Sequence, residues 1–169
     1  MASQIEAFIF DGDPTAAQIP EGLTAVPLTA GLTMIPMTGE ALEQLGAEDP
    51  NDDRIKPDWM LRLALATLAE RMSVDRKVLY VFGETWAGPG IQEAAGWSEG
   101  QLFFGPTGTC DLEADREPGY HVAPHKDSAI NAGLRAMGVQ AAPGVDEYET
   151  IGLSRHRMTD DWFSAEPGT

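Results

Sequence analysis

The sequence has one cysteine, Cys110, so the chain cannot form an intramolecular disulfide. No apolar run approaches the ~20 residues that a membrane-spanning helix needs. The initial MASQIEAFIF also lacks the basic start of a secretory signal peptide. Together these absences predict a cytoplasmic protein that makes no contact with a membrane.

Positive charge is scarce, with 11 Lys and Arg against 27 Asp and Glu and a net charge of −16. The segment 1–53 contains ten carboxylates and no Lys or Arg. A chain of this charge should repel nucleic acid and attract a basic protein partner at an increased rate. A surface charge that serves only solubility is the simpler alternative.

Established catalytic motifs are missing. Neither Gly-x-Ser-x-Gly nor the phosphate-loop pattern occurs, and the glycine-rich stretch 83–90 lacks the lysine that a phosphate loop requires. Cys110 could act as a nucleophile with His121 or His125, but the adjacent Asp111 disfavours the thiolate that such chemistry needs. An enzyme that uses the segment 107–125 therefore remains an alternative only.

The three histidines, His121, His125 and His156, do not form a recognised metal motif. His121 and His125 are four residues apart, but Pro124 between them opposes the helix that would align two ligands. A zinc site would also need His156 to fold back onto this segment. The acidic stretch 48–53 lacks the glycine and glutamate spacing of a calcium loop. We therefore predict no metal and no cofactor.

The stretch 77–104 predicts a meander of three antiparallel strands. Alternating β-branched and aromatic side chains favour a strand, while Gly-Pro-Gly at 88–90 and Ser-Glu-Gly at 98–100 favour turns. The strands are predicted at 77–86, 91–97 and 101–104. Further short strands are predicted at 4–10, 24–29 and 32–37.

The most regular helix is predicted over 57–72, because Pro57 suits a first turn and apolar side chains lie nearly all round. This pattern predicts that the helix, including Leu63 and Leu65, is well buried. Other helices should follow a cap at Thr38 and run from about residue 128 to Gly138. Glycine and proline through 107–125 predict a long loop instead.

These elements predict an α+β fold, with an antiparallel sheet covered on one face by two or three helices. The length fits a single domain spanning residues 1–169, and residues 164–169 should form a frayed tail.

Candidate binding residues fall into three groups. Glu84 and Trp86 combine an aromatic side chain with a flanking carboxylate, as binding hot spots often do. Arg155 and Arg157 form the one local basic cluster, for which pairing with carboxylates or with a helix C-terminus is the favoured interpretation. The most clustered carboxylates are Glu48, Asp49, Asp52 and Asp53.

Two segments are distinctive: a GxG…QxAAxW pattern over 88–97 and a DEY…GLxRHRxTxDW pattern over 146–162. In these segments the chain resembles a family of uncharacterised small acidic bacterial proteins, some of which are similar to immunity proteins of toxin systems. The resemblance implies a stand-alone cytoplasmic protein and defines no chemistry.

The charge and the lack of a catalytic set predict a binding protein, most concretely an immunity protein that neutralises a toxin by blocking a basic surface. One alternative is a small metal- or cysteine-dependent enzyme that uses the segment 107–125. Another is a mimic of nucleic acid whose acidic face occupies a basic groove.

Overall fold

The computed structural model describes residues 2–12, 19–47, 53–56, 59–85, 90–113 and 119–164. Seven strands form one sheet in the order β2-β3-β1-β4-β5-β6-β7. All neighbours are antiparallel except β6 and β7, which run parallel. The strands are β1 (Ser3–Asp11), β2 (Val26–Pro27), β3 (Leu32–Pro36), β4 (Lys77–Thr85), β5 (Gly90–Ser98), β6 (Gln101–Cys110) and β7 (Tyr120–Val122).

Helices cover both faces of this sheet rather than the one face expected from the sequence. The helices are α1 (Gly39–Gln44), α2 (Leu63–Met72), α3 (Ala129–Ala136), α4 (Glu147–Thr150) and α5 (Asp161–Ser164). The first two share one apolar cluster with the sheet, and the other three share the cluster on its opposite face. Consecutive residues along the central strands β1 and β4 are buried, so the side chains on each face of the sheet need helices packed against them. The α+β class is confirmed, and no described helix is long and apolar enough to cross a membrane.

The predicted meander is present, and the hairpin turn between β5 and β6 is confirmed. Glu99 and Gly100 both have positive φ, 54° and 76°, as a two-residue hairpin turn requires. The long loop predicted over 107–125 is wrong, because β6 continues to Cys110 and β7 lies within this segment. The register between β5 and β6 shifts near Gly105 and Pro106, so a bulge accommodates the proline that cannot donate to the ladder.

The helix predicted over 57–72 begins only at Leu63. The carboxylate of Glu93 accepts hydrogen bonds from the backbone N–H groups of Met60 at 2.8 Å and Leu61 at 3.2 Å. In a helix over 57–72 these N–H groups would instead donate to carbonyls four residues earlier, so the contact from the sheet replaces those helical bonds, and the extended Arg62 directly precedes α2. Residues 57 and 58 lie outside the described part of the chain.

The C-terminal segment covers an edge of β1 that β3 does not reach. The N–H of Gln4 donates to the carbonyl of Arg157 at 2.8 Å, and the N–H of Glu6 donates to Thr159 Oγ1 at 3.1 Å. These bonds place residues 158–160 beside the start of β1 and give the N–H groups of this strand edge hydrogen-bond acceptors. Of the predicted frayed tail, only Ser164 is described, and it ends α5.

Candidate functional site

A groove of about 490 Å³ lies between the end of α1 and the solvent side of α2. Its lining includes the apolar Leu45, Leu63 and Leu68 together with Asp53 and Arg71. Leu63 is 51% exposed, which corrects the expectation that this helix is buried all round. An exposed leucine inside a concave surface is more typical of a contact site than a single apolar residue on a convex one.

Local backbone interactions set the two walls of the groove. Thr38 accepts a hydrogen bond from the N–H of Ala41 at 3.1 Å and so caps α1. Gly46, with φ of 66°, ends the helix and turns the chain away. On the other wall, the N–H of Leu63 donates to the carbonyl of Asp53 at 2.7 Å, which fixes Asp53 beside the start of α2.

One carboxylate, that of Asp53, lies in the described lining of the groove, and two more are exposed on the helix α1. Glu40 and Glu43 are exposed on α1, and Asp53 is exposed on the opposite wall. Arg71 is the one cation among the described residues that line the groove. An apolar centre on a protein of net charge −16 is complementary to a partner that presents apolar and basic side chains together.

The second notable feature is a pair of buried carboxylates on the face of the sheet that α2 covers. Glu6 is 4% exposed, and its Oε2 accepts a hydrogen bond from Tyr80 at 2.5 Å and contacts Arg62 Nη1 at 3.5 Å. Burial raises the pKa of Glu6 from 4.5 to about 7, and the hydrogen bond from Tyr80 and the charge of Arg62 limit this rise.

Glu93 is the other buried carboxylate. It accepts hydrogen bonds from the hydroxyl of Tyr120 and from the two N–H groups that precede α2. Burial raises its pKa above 4.5, while these hydrogen bonds act in the opposite direction. Neither glutamate was predicted from the sequence to be a site residue. The available signal was that Glu6 alternates in phase with Phe8 and Phe10, which indicates a buried face.

No family model, curated protein or solved structure matches the chain. The resemblance to small acidic bacterial proteins therefore stays a prediction.

The predicted acidic cluster is only partly described. Asp53 lies in the groove, whereas Glu48, Asp49 and Asp52 lie outside the described residues. Trp86 is also outside them. Glu84 is half-buried near the end of β4, between Gln4 of β1 and Ile91 of β5.

The predicted basic cluster lies on the face covered by α3, α4 and α5. Arg155 donates to the carbonyls of Gly152 at 3.1 Å and Pro27 at 3.2 Å, and its guanidinium lies 5.1 Å from the ring centre of Trp162. Arg157 is exposed, and its carbonyl accepts the hydrogen bond from Gln4. The contacts of Arg155 hold chain segments together, and its hydrogen bonds go to carbonyls rather than to carboxylates.

The histidines occupy three separate elements. His121 lies in β7, His125 begins a short 3-10 turn, and His156 packs against Trp162 with 4.7 Å between ring centres. No group of three or more His, Cys, Asp or Glu among the described residues could hold a metal ion.

The proposed nucleophile Cys110 is buried at 1% exposure at the end of β6. Its thiol lies 3.9 Å from the carbonyl oxygen of His121, to which it can donate. A thiol at this depth cannot meet a substrate without opening of the sheet.

His125 and Asp146 border a second cavity, of about 240 Å³, between the sheet and α3 and α4. Asp146 Oδ2 lies 3.3 Å from His125 Nε2 and accepts a hydrogen bond from Asn131 at 3.2 Å. Its Oδ1 accepts the N–H of Glu149 at 2.9 Å and caps α4. The carboxylate is therefore engaged in joining α3 to α4. The imidazole is 68% exposed, and within the described chain it makes no hydrogen bond to a serine or cysteine.

Proposed function

We propose that this protein is an acidic binding protein of the cytoplasm and that the groove between α1 and α2 receives a basic protein partner. The observation that carries the proposal is the exposed Leu63 in a groove whose described lining also includes Leu45, Asp53 and Arg71. Apolar centres surrounded by polar rims are the usual anatomy of protein interfaces. The net charge of −16 favours a partner of the opposite sign.

The most concrete form of this function is an immunity protein that neutralises a toxin by covering a basic surface. An inhibitor of this kind benefits from rapid, electrostatically steered association. The segment 1–53, which has ten carboxylates and no Lys or Arg, favours such association. The resemblance to small acidic bacterial proteins supports the same form.

Two observations favour binding over the enzyme alternative. Cys110 is buried, and the described residues offer no metal-binding group. The apolar floor of the groove favours one specific partner over a mimic of nucleic acid, because a mimic would rely on charge alone and bind several unrelated basic proteins.

The proposal is tested by purifying the tagged protein from its own cells and measuring the affinity of any captured protein after separate purification. Leu63→Asp should abolish binding, because it places a charge in the apolar centre. Leu102→Asp is the matched control, because Leu102 is equally exposed, at 50%, but lies on β6. A partner that is acidic, or one that binds Leu63→Asp as tightly as wild type, would refute the proposal.

A further inference from the structure

A buried carboxylate of β5 contacts the chain just before α2. Glu93 is 1% exposed, and its carboxylate accepts hydrogen bonds from the N–H of Met60 at 2.8 Å, from the N–H of Leu61 at 3.2 Å and from the hydroxyl of Tyr120. Hydrogen bonds to a carboxylate are stronger than those between neutral groups. Because two of the donors are backbone groups, this contact restrains the backbone of residues 60 and 61 directly.

The segment before α2 pairs with residues 53–55 instead of forming a helical turn. The N–H of Ile55 donates to the carbonyl of Leu61 at 3.0 Å, and the N–H of Leu63 donates to the carbonyl of Asp53 at 2.7 Å. An antiparallel bridge joins residues 54 and 62, which lie between these two bonds. Residues 53–55 and 61–63 therefore form a short antiparallel pair, and α2 begins at its last residue.

The N–H of Leu63 links this pair to the groove. It donates to the carbonyl of Asp53, and both residues line the groove. In the helix predicted over 57–72, the same N–H would instead donate to the carbonyl of Trp59, four residues earlier. One N–H cannot point at both carbonyls. The chain therefore either lengthens α2 or keeps Asp53 bonded at the wall of the groove.

Two opposing effects act on residues 59–62. Met, Leu and Arg are good helix formers, and the apolar pattern of α2 continues back through Trp59, so the local sequence favours a longer helix. A longer helix would take two backbone donors from the buried carboxylate of Glu93, and a buried polar group that loses its partners is costly. It would also move the ring of Trp59, whose centre lies 5.2 Å from that of Tyr120. The contacts with the sheet therefore outweigh the local preference.

We propose that Glu93 is a positioning residue of the groove: its carboxylate holds residues 59–62 out of α2, so that the N–H of Leu63 stays bonded to Asp53. Without this carboxylate, α2 gains a turn and Asp53 loses the bond that keeps it at the wall. A partner that contacts both walls then binds only the state with the shorter helix. The consequence for binding rests on the proposed function, whereas the change in the start of α2 does not.

The test is NMR of the full chain, without a partner, on Glu93→Gln and on a matched control, Glu6→Gln. Both variants replace a buried carboxylate on the face of the sheet that α2 covers. Glu6 accepts hydrogen bonds from the side chains of Tyr80 and Arg62, whereas Glu93 accepts them from the backbone before α2. The pair of variants therefore separates the loss of a buried carboxylate from the loss of these backbone contacts.

In Glu93→Gln the Cα chemical shifts of residues 59–62 should move toward helical values. The scalar coupling across the hydrogen bond from Leu63 N–H to the Asp53 carbonyl should be lost in the same variant. Both observables should keep their wild-type values in Glu6→Gln. Wild-type shifts and coupling in Glu93→Gln would overturn the proposal, and so would equal changes in the two variants.

Hydrogen exchange of the wild-type protein in low concentrations of denaturant covers the case in which Glu93→Gln does not fold. The amides of Met60, Leu61 and Leu63 should exchange through one shared opening, with a lower free energy than the amides of Leu68 and Met72 later in α2. The proposal is overturned if these three amides exchange only with global unfolding. Neither measurement uses a partner, so these outcomes are separate from a failure of the proposed function.

Discussion

Tyr80 donates a hydrogen bond to Glu6 between neighbouring strands, with 2.5 Å from Oη to Oε2. The two residues lie diagonally across the β1–β4 pair, since Glu6 faces Phe82 and Tyr80 faces Phe8. This bond lets a carboxyl group sit in a layer of aromatic side chains, and Arg62 adds the only ion pair that the described residues give it. The stability of the protein should therefore depend on the protonation of Glu6.

The first prediction concerns stability against pH. The folded-state pKa of Glu6 is about 7 and its ordinary value is 4.5, so the folded state binds more protons than the unfolded state between these values. The free energy of unfolding should fall as the pH rises through this window, by about 3 kcal/mol from Glu6. Urea unfolding of wild type and Glu6→Gln at several pH values measures this. As the pH rises from 4.5 to about 7, the free energy of unfolding should fall in the wild type and not in Glu6→Gln. Parallel plots of this free energy against pH for the two proteins would contradict the raised pKa of Glu6.

The second prediction concerns α2. Leu65 is 0% exposed and packs against the sheet, so Leu65→Ala should lower the free energy of unfolding by about 2–5 kcal/mol. Leu63→Ala, on the solvent side of the same helix, should lower it by less than about 0.5 kcal/mol. Denaturant melts of both variants check this, and equal losses would show that the two faces of α2 are wrongly assigned.

The third prediction concerns Cys110. Because its thiol is buried, it should react with a thiol reagent much more slowly in the folded protein than after unfolding. Cys110→Ala should bind the partner as wild type does. Loss of function in this variant, at unchanged stability, would favour the cysteine-dependent enzyme.

Much of the fold follows from local sequence signals. The strand β4, the turn at Glu99 and Gly100, the cap at Thr38 and the stop at Gly138 each depend on a few adjacent residues, and the structure confirms them. The errors come from contacts between distant residues. α2 begins late because Glu93 from β5 binds the N–H groups of residues 60 and 61, and no local pattern contains that information.

The candidate site residues also divide into those that local sequence signals indicate and those that depend on contacts between distant residues. Asp53 was selected as one of a run of carboxylates, which is a local feature, and it borders the groove. Leu63 was assigned to the core because apolar residues surround the helix, and its exposure depends on where α1 ends. Glu6 was placed in a strand, but its burial depends on α1, α2 and the C-terminal segment packing over one end of β1.

In the proposed function, a basic partner docks on the groove between α1 and α2 and is steered by the acidic segment before α2. Stopped-flow association with the purified partner across a salt series tests both the docking and the steering. Neutralising Glu48, Asp49, Asp52 and Asp53 together should slow association at low salt and change dissociation little. Leu63→Asp should instead mainly speed dissociation, because it removes contacts made after docking. Equal association rates for wild type and the four-site variant at low salt, with unchanged dissociation of Leu63→Asp, would contradict the claim.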